Sequence, residues 1–150
     1  MLAPAALILL LVGCGSQGTQ HSPDVGSLPL VQGARVVARQ QKCDRGANAY
    51  CGWELVVVAP GFRTSDALLL SEKRHLKALG WTGANADIDG ERAADSPGHK
   101  LHLTYGTAFT DLKGIDRGVI RRARKITLTL SHSMFARSPT LSMLFELGPG

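Results

Sequence analysis

The sequence predicts a single α+β domain, a mostly antiparallel sheet packed on one main helix over about residues 66–79. Three observations predict it. Ala34–Gln40 and Trp53–Ala59 are two β-branched runs joined by a turn-like segment. Lys100–Tyr105 and Ile126–Leu130 alternate apolar and polar side chains, as half-buried strands do. Between these pairs, Leu68, Leu69, Glu72, Leu76 and Leu79 recur at helical spacing. The alternation predicts one wet sheet face and one face covered by the helix. Aromatic residues make up 5% of the chain, so the core must rest on Leu, Val, Ile and Ala.

The N-terminal residues speak to location. Residues 1–13 form an apolar run that falls short of the roughly 20 residues a membrane-crossing helix needs. Its length is that of a signal-peptide core, about 7–15 residues. No Lys or Arg precedes it. It ends in Leu11-Val12-Gly13-Cys14, an apolar residue followed by a small one and then a cysteine. These four residues resemble the lipobox of bacterial lipoproteins. With the polar stretch after them, the Cys43/Cys51 hairpin carrying Cys51-Gly52-Trp53, and Leu79-Gly80-Trp81, the chain resembles small lipoproteins of high-GC Gram-positive bacteria. The resemblance implies a signal peptide over residues 1–13, cleaved before Cys14, and a diacylglyceryl group on Cys14 whose acyl chains, palmitate among them, hold the protein on the extracytoplasmic face of the cell membrane. Two acyl chains anchor stably, at about 0.8 kcal/mol per buried methylene, where one alone is marginal. Residues 14–33 are then expected to be the lipidated cysteine and a flexible tether, since Gly15–Ser27 has almost no apolar side chain. Residues 34–150 are expected to be the extracytoplasmic domain.

Within the domain the elements follow in order. The first strand, Ala34–Gln40, leads to Cys43, and the second, Trp53–Ala59, follows Cys51. In an oxidising compartment an even pair of cysteines points to a disulfide closing a loop of about nine residues; a zinc site or two free thiols are the alternatives. Pro60-Gly61 ends the second strand, and Ser65 stands where a helix N-cap is expected, with Asp66 favourable beside the helix dipole. Lys73, Arg74 and Lys77 lie in the later turns, and Gly80 supplies the stop. Trp81 begins an extended piece that runs into a polar loop, Asn85–His99. The third and fourth strands are Lys100–Tyr105, with Leu101, Leu103 and Tyr105 inward, and Ile126–Leu130. Leu141–Leu147 is apolar but reads equally as strand or helix. Trp53 and Trp81 are expected at the sheet–helix interface, each indole N–H near an edge.

Few residues point to chemistry. Asn85, Asp87, Asp89, Gly90 and Glu91 follow the first half of an EF-hand calcium loop, but Asn85 replaces the first Asp and Ser96 stands where the bidentate Glu belongs. They are a weak calcium candidate against the plainer reading of a hydrated loop turning at Asp89-Gly90. His99 and His102 have an HxxH spacing, but on a strand such residues point to opposite sides, and His102 is expected to face solvent. Ser131-His132-Ser133 offers a nucleophile beside a base type, on adjacent positions that point apart. No GxSxG, SxxK or HExxH occurs. The chain is therefore expected to be no enzyme and to need no cofactor.

The net charge is +5, and Arg117, Arg121, Arg122, Arg124 and Lys125 form its densest cluster. Nucleic-acid binding would need stacking aromatics or a known module beside that charge, and neither is present. An envelope protein or an anionic surface is the expected contact. The sequence thus leads to a membrane-anchored module of the cell envelope that binds or supports a partner. The alternative is a small-molecule or calcium sensor using the loop of residues 85–99.

Overall fold

In the second strand the run Leu55-Val56-Val57-Val58 does not alternate, and a strand that is apolar on both sides belongs inside a sheet rather than at its edge. A computed structural model describes residues 20–43, 49–83, 91–107 and 134–148. It contains β1 (Arg35–Cys43), β2 (Cys51–Val58), α1 (Ser65–Ala78), β3 (Glu91–Asp95), β4 (Leu101–Gly106) and β5 (Thr140–Leu147). The strands form one sheet in the order β1-β2-β5-β4-β3, and every neighbouring pair is antiparallel. This is the α+β architecture the sequence predicts, with α1 packed over β5.

Both faces of the middle strands are buried, which corrects the expectation of a wet face. Leu55, Val57, Leu141, Met143 and Phe145 join Leu68, Leu69, Leu76 and Trp81 in the core beneath α1. The alternate positions Val56, Val58, Thr104, Ser142 and Leu144 are also buried. β5, which read equally as strand or helix, is the central strand. The expected strand Ile126–Leu130 lies outside the described residues.

α1 is bounded by local chemistry. Its N-cap is Thr64, not the expected Ser65: the Thr64 hydroxyl accepts the Ala67 N–H at 3.0 Å. Ser65 instead spends its Oγ on the N–H of Thr140 at the start of β5, 3.0 Å away. At the other end Gly80, at φ +81°, turns the chain as expected. The Gly80 N–H reaches the Lys77 carbonyl and the Trp81 N–H reaches the Leu76 carbonyl, both at 3.0 Å. These are the two bonds of a Schellman motif, and they deliver Trp81 into the core.

Of the polar loop expected over residues 85–99, the described part, residues 91–99, is instead the edge strand β3 and a tight connection. β3 pairs with β4 from Glu91↔Gly106 to Asp95↔His102. Asp95 also exchanges both backbone hydrogen bonds with Thr82, at 2.7 and 2.9 Å. The connection turns through left-handed Gly98 and His99, at φ +75° and +54°. An edge strand of sequence Glu-Arg-Ala-Ala-Asp offers no apolar alternation to read.

Residues 20–33, expected as part of the tether, lie on the domain instead. His21 bridges Tyr50, their rings stack with centroids 5.0 Å apart, and Val25–Ser27 forms a turn of 3₁₀ helix capped by Asp24. Leu28 enters the core, with Leu30 and Val31 partly buried against it. The apolar content that docks this segment sits at Leu28–Val31, just past the polar stretch.

Candidate functional site

Among the described residues, the buried or partly buried polar features include a disulfide, an indole, the carboxyl of Glu72 and an Asp–His pair. Cys43 and Cys51 face each other across the last register position of β1 and β2, their Cα atoms 4.0 Å apart, and are joined by a disulfide. Beside them Trp53 is half-buried; Arg39 lies 5.6 Å from its ring centroid, and its indole N–H reaches the Ser22 hydroxyl at 3.0 Å and the Pro23 carbonyl at 3.1 Å. Gln41 donates to the same Ser22 hydroxyl. Trp81 takes its expected place in the core beneath α1, whereas Trp53 is half-buried at the border of that core with its polar edge toward the N-terminal segment.

Glu72 stands on the buried stripe of α1, a turn from Leu68, Leu69 and Leu76, and is 0% exposed. Its Oε2 accepts the N–H of Val31 at 2.9 Å, while Oε1 has no hydrogen-bond partner. Burial pushes the carboxyl up from an ordinary 4.5 to about 7, against the smaller opposing pull of the Val31 bond. A protonated carboxyl is far cheaper to bury than an ionised one, so this site holds its proton over much of the range in which an exposed Glu has lost it.

The second constellation was hidden by the expected loop. At the end of the β3–β4 ladder, Asp95 Oδ1 lies 2.6 Å from His102 Nδ1, and Asp95 Oδ2 lies 3.9 Å from His99 Nδ1. The expectation that His99 and His102 diverge fails because His99 sits in the turn, not on the strand, and its left-handed backbone swings it back to the same carboxylate. His102 is correspondingly only partly exposed rather than free in solvent. Its Nε2 lies 3.4 Å from Thr104 Oγ1. Carboxylate, imidazole and hydroxyl in that order are the parts of a nucleophile–base relay. Thr104, however, is 0% exposed, so its hydroxyl has no approach for a substrate. What the chain of contacts does in this geometry is lock β3 to β4. Among the described residues no group of three or more His, Cys, Asp or Glu is placed to hold a metal ion.

Most of the residues singled out from sequence lie outside the described residues: Cys14, Asn85, Asp87 and Asp89, the basic cluster Arg117, Arg121, Arg122, Arg124 and Lys125, and Ser131–Ser133. Glu91 opens β3, and its side chain is likewise outside them. Among the described residues no helix is long and apolar enough to cross a membrane. Of the features the structure adds, Glu72 had a legible signal, a carboxylate in an apolar helical stripe; the Asp95–His102 pair depends on a strand register that no local pattern encodes. The chain matches no family model, no curated protein and no solved structure.

Proposed function

We propose that this protein is a lipid-anchored extracytoplasmic module of the cell envelope, attached through Cys14, which binds or supports an envelope partner and performs no chemistry of its own. The observation that carries the proposal is the Cys43–Cys51 bridge. Disulfides persist outside the cytoplasm and are reduced within it, and this one lies in the same chain as a lipobox-like Leu11-Val12-Gly13-Cys14. The buried end of the Asp95–His102–Thr104 chain adds support for a structural part. The basic run from Arg117 to Lys125 is the proposed contact for an anionic surface or an acidic partner.

The test is the intact mass of the protein recovered from the membrane fraction of a Gram-positive host, beside a Cys14→Ser variant. The expected mass is that of residues 14–150 carrying a diacylglyceryl group, with both the cleavage and the added lipid lost in the variant. A full-length, unlipidated chain in the cytosol overturns the proposal.

A further inference from the structure

Residues 20–33 are fixed to the domain by hydrogen bonds near each end and by Val25, Leu28, Leu30 and Val31 packed on the core, rather than by a strand ladder. At one end His21 exchanges backbone bonds with Ala49 and Cys51, at 2.8 and 2.7 Å, and Ser22 and Pro23 receive the Trp53 indole. At the other end Leu28 is buried in the core and Val31 donates its N–H to Glu72, 41 residues further along the chain. The segment is thus clipped to α1 through a carboxyl that is fully buried and half satisfied.

We infer that residues 20–33 are a releasable strap and that Glu72 is its pH-sensitive catch, the strap lifting from α1 when the carboxyl loses its proton to solvent. With the strap in place, an ionised Glu72 would keep one oxygen without a partner. From the strap, β2, β4 and β5, the core beside it is supplied by apolar side chains and the phenol of Tyr105. On α1 itself Lys73 and Arg74 are exposed and His75 is partly exposed. Among the described residues the carboxyl feels burial and the Val31 hydrogen bond, with no charged neighbour offsetting its desolvation. Hydrating it requires moving something, and the strap is the least tied of the elements around it: α1 is seated on β5 and the strands are laddered.

Amide hydrogen exchange on the purified full chain at pH 5.5 and pH 8.5, corrected for the intrinsic pH dependence of exchange, tests the catch. With the carboxyl rising from 4.5 to about 7 when the strap is closed, protection of residues 28–34 should fall by about 30-fold between these conditions. In Glu72→Gln it should be the same at both. Protection that does not change in the wild-type chain overturns the inference. So does protection of residues 28–34 as high as that of β2 and β5 at both pH values, because their amides would then exchange only when the whole domain unfolds. The exchange result is independent of the anchor: a pH-dependent strap in a chain whose mass shows no lipid keeps the catch and removes the lipoprotein reading, while a lipidated chain with a pH-independent strap does the reverse.

Discussion

At the scale of single residues, Glu72 is where the chain departs furthest from its own rules, a carboxyl at 0% exposure in an otherwise apolar stripe. Its effect on stability has a definite sign. The folded-state value, about 7, lies above the unfolded 4.5, so between those values the native state holds a proton that the unfolded chain has released. Stability from this group is therefore fully present below pH 4.5, declines as pH rises, and is lost once pH passes 7, by at most roughly 3 kcal/mol if the strap stays closed. This is opposite to the behaviour of a salt-bridged carboxylate. Urea denaturation at pH 5 and pH 8 should show the wild-type midpoint falling with pH more steeply than that of Glu72→Gln, which retains an acceptor for the Val31 N–H. Parallel midpoints for the two proteins would mean that the carboxyl is hydrated in the native state. Glu72 was legible in the sequence as the polar member of the stripe; that one oxygen is met by Val31 was not, because that contact depends on how residues 20–33 return over the helix.

At the scale of elements, α1 shows how far local chemistry can be read. The stripe of Leu68, Leu69, Leu76 and the stop at Gly80 are local properties, and the helix runs over Ser65–Ala78 as the spacing predicts. The spacing alone places its first residue one position late because Thr64 and Ser65 are both good caps, and the choice is made by β5, whose Thr140 N–H claims the Ser65 hydroxyl. The two substitutions should therefore read out in different places. Thr64→Ala should lower stability by about 1 kcal/mol and speed exchange of the Ala67 amide. Ser65→Ala leaves the N–H of the buried Thr140 without its acceptor, which should lower stability by about 1–3 kcal/mol and speed exchange at Thr140 with Ala67 unaffected. Faster exchange of Ala67 in Ser65→Ala alone would return the cap to Ser65. β3 is not legible locally for a related reason: Glu91–Asp95 carries no apolar period, and it becomes a strand because β4 and Thr82 offer its backbone partners on either side. The signal that could have revealed it is Pro97-Gly98 just ahead of a strongly alternating strand, the mark of a turn between paired strands.

At the scale of the whole molecule, the decisive pairing is also the least local one. β1 and β2 are neighbours in sequence, as are β3 and β4, and each pair forms a ladder by itself. They become one sheet only through β5, which pairs with β2 on one side and with β4 on the other. A sequence reading that finds the strands cannot place them, since nothing in Leu141–Leu147 specifies its neighbours: Leu141, Met143, Phe145 and Leu147 mark one buried face, and Ser142 and Glu146 on the other do not reveal that it too is largely covered. The dependence of the fold on β5 can be measured by ending the chain after Pro139. Leu141, Met143 and Phe145 are each 0% exposed in the core beneath α1, and truncating such side chains singly to alanine typically removes about 2–5 kcal/mol apiece. Losing all three, together with both ladders, exceeds the 5–15 kcal/mol that holds a typical domain together. The shortened chain, Cys43–Cys51 bridge included, should show no cooperative thermal transition, because a bridge within the β1–β2 hairpin does not constrain β3 or β4. A cooperative transition with native-like dispersion of its amide signals would mean that the two hairpins and α1 hold together without their shared strand, and that the central place of β5 follows from the fold rather than creating it.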